Sequence, residues 1–178
     1  MGFPVALLGR VRPEKSSKPG VAFHLEIKDG KPGTVNFFEN PAHSSELFQT
    51  DDGLLAFTLH DSPPRVATHT YSFQSKTWKT GANIPLVALP DGRDRSESGA
   101  MDIDVSGDVQ VISYVALEDK DRRLLVTYSL DGGKSWTPSE SLGAYNETTF
   151  CHATPKGIVV KGVNKGKRKS DFFIAERS

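Results

Sequence analysis

The feature of this sequence that most constrains its fold is a set of short strand-like segments that recurs about every 50 residues. Four apolar segments of similar kind begin 49, 55 and 49 residues apart, at Val5, Leu54, Val109 and Ile158. Each is followed by a polar loop and a further segment rich in β-branched and aromatic residues. No comparable stretch keeps the apolar period of an amphipathic helix. The sequence therefore predicts an all-β chain built from repeated units.

Each unit is interpreted as four antiparallel strands, with tight turns after its first and third strands and longer loops after its second. The units cover residues of about 4–38, 46–89, 101–142 and 149–178, where the first lacks its first strand and the last lacks its fourth. A period of about 40–50 residues with four strands is typical of a β-propeller blade. We expect one domain over residues 1–178, a propeller-like array of about four units, with an antiparallel β-sandwich as the alternative.

Two geometries remain open for such an array. In a closed ring, residues 5–11 leave the first unit and pair beside residues 171–176, which removes an exposed sheet edge. In an open arc, residues 5–11 pair only with residues 21–28, and the edge at 171–176 is available to a partner strand.

Composition excludes several classes of protein. Lys plus Arg and Asp plus Glu both number 22 among the 178 residues, and this balance argues against a nucleic-acid partner. No purely apolar run exceeds four residues, so we expect no membrane-spanning segment, and the chain shows no signal peptide. Cys151 is the one cysteine, which excludes an intramolecular disulfide and a cysteine-based zinc site.

One motif is specific. The segment 129–136 fits the pattern S-x-D-x-G-x-x-W at Ser129, Asp131, Gly133 and Trp136. It resembles the Asp-box, or BNR repeat, of the sialidase-like β-propellers, and residues 71–78 form a shorter copy without the aspartate and the glycines. Asp131 can accept hydrogen bonds from its own turn, glycine permits positive φ, and Trp136 can bury a large apolar area. The resemblance implies a structural role for this turn on the rim of the fold.

The resemblance also implies what an enzyme of this kind would need. Sialidases use three arginines for the substrate carboxylate, a tyrosine–glutamate nucleophile pair and an acidic general acid/base, all near the axis of a six-bladed propeller. This chain has length for about four blades, and the Phe-Arg-Ile-Pro segment of those enzymes is absent. We therefore assign no catalytic residue, metal ligand or cofactor. A sialidase or other glycoside hydrolase stays the alternative if the chain is an enzyme.

The histidines and the cysteine do not form an evident catalytic group. If the hairpin closes through residues 62–64, His69 faces Phe57 and His60 faces Val66, so the two histidines point to opposite faces of the sheet. The same alternation separates the side chains of Cys151 and His152, because neighbours in a strand point to opposite faces. Cys151 is then expected to be a buried structural residue.

The repeat places the longer loops at one face, where recognition usually occurs on a rigid scaffold. The candidate binding residues on that loop face are His43, Arg93, Asp94, Arg95, Glu97, Tyr145 and Asn146. Tyr145 is included because tyrosine offers large contact area at low entropic cost. The predicted function is a non-catalytic binding module for another protein, such as an inhibitor or immunity-type protein of a secreted enzyme, in a secreted or periplasmic location. Carbohydrate binding, which the sialidase resemblance implies, is the alternative.

Overall fold

The computed structural model shows an all-β chain, as predicted. It describes residues 5–11, 21–28, 31–41, 45–91, 100–118, 121–145, 148–164 and 169–176. Within these residues there are fourteen strands and no helix, and therefore no helix long and apolar enough to cross a membrane. The strands form four antiparallel sheets of three or four strands, named sheets A to D.

The chain divides into two compact units, residues 1–83 and 84–178, which are described separately. In the first unit, sheet A contains β1 (Val5–Val11), β2 (Val21–Lys28) and β3 (Lys31–Pro41). Sheet B contains β4 (Ser45–Thr50), β5 (Gly53–Asp61), β6 (Pro64–Ser72) and β7 (Thr77–Pro85), the last of which crosses the boundary. Of the two pairings left open for β1, the structure shows the one with β2.

The second unit contains the other two sheets. Sheet C is formed by β8 (Met101–Ser106), β9 (Val109–Glu118), β10 (Asp121–Ser129) and β11 (Glu140–Ala144). Sheet D is formed by β12 (Thr148–Thr154), β13 (Gly157–Asn164) and β14 (Lys169–Glu176). In all four sheets the strands are adjacent in chain order, so each sheet is a simple meander.

The fourth strands are the elements that the sequence located least well. The second unit was expected to extend to residue 89, whereas its fourth strand, β7, covers Thr77–Pro85, because the turn before it takes only the four residues 73–76. Lys76 adopts a φ of 54° in that turn, where glycine is the usual residue. The third unit was expected to end at residue 142, whereas its fourth strand, β11, covers Glu140–Ala144, since residues 130–139 form an irregular connection.

Backbone hydrogen bonds show that the two tight turns of a sheet lie at the same end. In sheet B, the Phe73 N–H donates to the Asp52 carbonyl at 3.1 Å. In sheet C, the Gly132 N–H donates to the Asp108 carbonyl at 2.9 Å. We call this the turn end of a sheet, and the opposite end its loop end.

Sheets C and D share one apolar core. It contains Val109, Val111 and Leu124 of sheet C together with Ile158 and Val160 of sheet D, all buried. Burial of this apolar surface is the main favourable contribution to the stability of the unit.

The edge strands β8 and β12 lie side by side and are joined by carboxylates rather than by a backbone ladder. The Asp102 carboxylate accepts the Cys151 N–H at 2.7 Å, and the Asp104 carboxylate accepts the Ala153 N–H at 2.9 Å. Both contacts join residues 49 apart, which equals the repeat spacing between Val109 and Ile158. Moving two residues along β8, from Asp102 to Asp104, also moves the partner two residues forward along β12, so the two strands run parallel.

Candidate functional site

The 129–136 turn, at the turn end of sheet C, is held by a closed set of hydrogen bonds. Ser129 Oγ donates to Asp131 Oδ1 at 2.8 Å and accepts the Gly133 N–H at 2.9 Å. Asp131 accepts the Ser135 N–H at 2.9 Å and the Ser135 hydroxyl at 2.6 Å. Gly132 and Gly133 adopt φ values of 75° and 84°, a conformation that favours glycine. The aspartate is therefore engaged in holding the turn.

These bonds change the titration of the carboxyl group. Hydrogen bonds from the Ser135 side chain and backbone, followed by the one from Ser129, lower the pKa of Asp131 from 3.8 to about 2. Because the pKa is lower in the folded chain, the contribution of Asp131 to stability is present above about pH 4 and is lost as pH falls toward 2.

We predict that Asp131→Ala lowers the melting temperature by a few degrees at neutral pH, since it leaves the Ser135 N–H without its acceptor. Asp131→Asn keeps one acceptor oxygen and should lower the melting temperature less. Thermal unfolding followed by circular dichroism measures both. Equal melting temperatures for Asp131→Ala and the parent chain would show that this turn does not support the fold.

The corresponding turn of sheet B keeps the serine and the tryptophan only. The Ser72 hydroxyl accepts the Ser75 N–H at 3.3 Å, as Ser129 does for Gly133. The ring of Trp78 lies against that of Tyr71, with ring centroids 5.2 Å apart. The shorter turn therefore combines a serine cap with an aromatic contact and has no carboxylate.

The loop end of sheet C holds the two ends of the segment predicted to bind a partner. The Asp91 N–H donates to the Val115 carbonyl at 2.8 Å, and the Val115 N–H donates to the Ala100 carbonyl at 2.7 Å. The Asp91 carboxylate also forms a salt bridge with Arg122 of β10, with Arg122 Nε 2.9 Å from Asp91 Oδ2. Residues 91 and 100 are thus anchored to one residue of β9. Six predicted binding residues, His43, Arg93, Asp94, Arg95, Glu97 and Asn146, lie outside the described residues.

Tyr145 is the one predicted binding residue that the structure describes, and it is not a surface residue. Its side chain is part of the core of the second unit, at 8% exposure. The ring meets Phe173 edge-on at 5.9 Å between centroids, and the hydroxyl donates to Asp171. Burial, followed by the bond to Asp171, raises the pKa of Tyr145 to about 12. The expectation of an exposed contact residue is wrong here, because β13 and β14 cover the ring.

A buried histidine pair was missed by the sequence analysis. In the β5–β6 ladder His60 lies opposite Arg65 and His69 opposite Ala56, one residue away from the expected register. The expected loop had three residues, but Pro64 already pairs with Asp61, so the connection has two. Shifting a register by one residue moves side chains to the other face of a sheet. The two histidines therefore share a face, contrary to the prediction.

The Thr58 hydroxyl lies between the two buried imidazoles. Its Oγ1 is 2.9 Å from Nε2 of His60 and 3.0 Å from Nε2 of His69. A hydroxyl has one proton, so at least one of the imidazoles donates to it. Burial, and then the nearby His60, lower the pKa of His69 to about 4. Both rings are hydrogen-bonded in the core, and the described residues contain no group of three side chains suited to a metal ion.

Cys151 and His152 point to opposite faces of β12. The Cys151 thiol lies 3.3 Å from the Asp102 carbonyl, and burial together with the Asp102 charge raises the pKa of the thiol. The His152 side chain is exposed, and its Nδ1 lies 2.7 Å from Asp104. The two side chains do not form a nucleophile–base pair.

The exposed face of sheet D is the most distinctive surface in the described part of the chain. Phe150, Phe172 and Ile174 are 53%, 65% and 69% exposed. In the ladders Lys161 lies between Phe150 and Phe172, and its Nζ is 5.8 Å from the centroid of each ring. We call these four residues the sheet D surface. They were assigned to strands from the sequence, but their common exposure was not predicted.

Comparison with known proteins shows a likeness of fold. No protein-family model matches the sequence, and no curated protein matches it. A crystal structure of a mutant of the NanB sialidase from Streptococcus pneumoniae is similar, with a TM-score of 0.50 and 10% sequence identity. The match covers 89% of this chain and 29% of the sialidase chain, so this chain spans less than a third of that enzyme's length. At this identity the likeness concerns the β fold alone.

Proposed function

We propose that this chain is a non-catalytic binding module that recognises another protein through the sheet D surface. The observation that carries the proposal is the exposure of Phe150, Phe172 and Ile174 on one face of a single sheet. Soluble proteins seldom expose a continuous set of large apolar side chains unless another molecule covers it. Aromatic residues are also enriched at the centres of protein interfaces.

The scaffold beneath this surface supports the proposal. Side chains of sheet D alternate between its two faces, and the opposite face, with Ile158, Val160 and Phe173, packs into the core shared with sheet C. The exposed side chains therefore stand on a backbone that the core holds in place. A surface of this kind loses little conformational entropy when a partner binds.

Three carboxylates of the second unit, those of Asp102, Asp104 and Asp131, support a role without catalysis. Asp102 and Asp104 accept backbone N–H groups of β12, and Asp131 holds its own turn. Glycoside hydrolysis needs two carboxyl groups facing a common substrate position, whereas these three are engaged in structural hydrogen bonds. We expect the chain not to hydrolyse a fluorogenic sialoside.

We also propose that this chain belongs to the Asp-box, or BNR repeat, superfamily of sialidase-like propellers, and the 129–136 turn supports this. Ser129 donates to Asp131 and accepts the Gly133 N–H, and Asp131 accepts the Ser135 N–H, which is consistent with the roles that the resemblance implies. The fold likeness to a sialidase agrees with it.

The experiment is capture of the partner from the native source by the immobilised chain, with mass spectrometry and then a measured affinity. Phe150→Ser with Phe172→Ser should weaken the affinity about tenfold or more, because truncation of central aromatic residues has effects of this size. Leu117→Ser is the matched control, since Leu117 is also about half exposed, at 51%, but lies in sheet C.

Equal affinities for the parent chain and the double variant would refute the role of the sheet D surface. Deleting residues 92–99 forms a second arm of the experiment. Loss of affinity in that arm alone would assign recognition to the loop end of sheet C, as the sequence predicted.

Carbohydrate binding is the second candidate, favoured by the row of Phe150, Lys161 and Phe172 together with the fold likeness to a sialidase. Aromatic rings can stack on the apolar faces of sugars, and an ammonium group can bind an acidic substituent. A glycan array distinguishes the two candidates. Binding of acidic glycans that is lost in Lys161→Gln would favour this second function.

A further inference from the structure

Lys161 is a cation on the middle strand of the sheet D surface. In the two ladders of sheet D it lies opposite Phe150 on β12 and opposite Phe172 on β14, so the three side chains form one row across the sheet. Its Nζ is 5.8 Å from the centroid of each ring, a distance at which an ammonium group is attracted to an aromatic face. The two rings therefore hold the ammonium group between them.

Among the described residues, Lys161 has no carboxylate partner. The carboxylate of Asp104, on the neighbouring edge strand, already contacts His152 Nδ1 at 2.7 Å and accepts a backbone N–H of β12. Asp171 lies on the opposite face of β14 and accepts a hydrogen bond from the core of the unit. Glu176 shares the exposed face but lies four residues further along β14 than the row, about 13 Å away. The positive charge is therefore not balanced within the described part of this surface.

This charge constrains what can cover the surface. A partner that covers both Phe150 and Phe172 also covers Lys161, because Lys161 lies between them. Removing a charged group from water is costly unless an opposite charge and hydrogen bonds compensate it. A purely apolar partner would bury the ammonium group without compensation, whereas a carboxylate placed over it supplies a charge-assisted hydrogen bond.

We propose that the partner of the sheet D surface is a protein segment whose aspartate or glutamate binds Lys161. Apolar side chains on either side of this acid pack on Phe150, Phe172 and Ile174. The inference rests on the proposed function and adds the chemistry of the partner. A protein is favoured over a carbohydrate because Ile174, at 69% exposure, is branched and offers no flat face to a sugar ring.

A phage-displayed library of random peptides, selected on the immobilised parent chain, provides the probe. The selected peptides are synthesised, and fluorescence anisotropy measures their affinities for the parent chain and for the variant with Phe150→Ser and Phe172→Ser. Peptides that lose affinity in this variant bind the sheet D surface. We expect these peptides to share an aspartate or glutamate between apolar residues.

Replacing the shared acid by its amide, or Lys161→Gln in the chain, should each weaken binding about tenfold or more. Because the two groups contact each other, the double change should weaken binding little more than one single change does. Lys161→Arg keeps the charge and should retain most of the affinity. Lys156→Gln is the matched control, since Lys156 is an exposed lysine in the turn between β12 and β13, outside the row. Melting temperatures show that each variant is folded.

Reversal of the charge provides a second, independent test. Selection of the same library on Lys161→Glu should yield peptides with lysine or arginine in place of the shared acid, because like charges placed opposite each other oppose binding.

Peptides that require Phe150 and Phe172 but share no acid would overturn this inference and leave the proposed function standing. Additive effects of the amide and of Lys161→Gln would also overturn it. A selection that yields no peptide dependent on Phe150 and Phe172 would instead contradict the proposed function. Binding of acidic oligosaccharides alone, lost in Lys161→Gln, would assign the surface to a carbohydrate and refute the protein segment.

Discussion

Replacing Asp102 and Asp104 together by alanine should lower the free energy of unfolding of the second unit by about 2–5 kcal/mol. The two carboxylates accept the outward N–H groups of Cys151 and Ala153 on the edge strand β12. Without them, these partly buried donors have no acceptor, and each such loss costs about 1–3 kcal/mol. In the described residues β8 and β12 make no backbone ladder with each other, so these two contacts take the place of ladder hydrogen bonds between their edges.

Urea denaturation followed by intrinsic fluorescence measures this effect. The variant with Asp102→Asn and Asp104→Asn keeps an acceptor oxygen at each position, and it should lose about half as much stability or less. Asp121→Ala, which changes an exposed aspartate of β10, controls for the loss of negative charge. A double alanine variant as stable as Asp121→Ala would show that these carboxylates do not hold the two edges together.

Acidification from pH 6.5 to 4 should destabilise the folded chain through His69. The folded pKa of about 4 lies below the ordinary value of 6.5, so the unfolded chain binds a proton more readily in this range. Stability contributed by the neutral imidazole is therefore complete above about pH 6.5 and decreases as pH falls toward 4. The shift corresponds to at most about 3 kcal/mol, and solvent screening reduces the expected loss to about 2 kcal/mol.

The free energy of unfolding as a function of pH measures this loss. His69→Gln removes the titrating group, and its stability should change less with pH between 6.5 and 4. Leu117→Ser is the control, because it changes an exposed residue that does not titrate and should leave the pH dependence as in the parent chain. If His69→Gln and the parent chain have parallel pH profiles, the buried imidazole does not cause the acid sensitivity.

Strand positions could be predicted from the sequence because they depend on local signals. Runs of β-branched and aromatic residues between glycine, proline and aspartate located β5, β9, β10 and β13 to within about two residues. The fourth strands lack such runs, and β7 contains lysine, threonine and asparagine instead. Their positions follow from the length of the preceding turn, which depends on contacts such as that between Ser72 and Ser75.

The candidate sites could be predicted only in part. The 129–136 turn was recognised because the hydrogen bonds among Ser129, Asp131, Gly133 and Ser135 lie within eight residues. Asp102 and Asp104 alternate with apolar residues in β8, and this pattern in the sequence could have drawn attention to them. That they accept N–H groups of β12 could be seen only once the position of β12 was known. A shift of one residue in the β5–β6 register determines whether His60 and His69 lie on the same face. The observed register has Pro64 paired with Asp61.

By itself, the sequence determined the all-β class, the repeat of about 50 residues and the local geometry of the 129–136 turn. These features arise from short-range preferences of the backbone and from turn chemistry, and they need no knowledge of distant contacts. The tertiary structure alone decided that Tyr145 is buried, that two histidines share a threonine, and that Phe150, Phe172 and Ile174 are exposed together. Burial depends on which sheet covers which face, and that is set by packing between segments far apart in the chain.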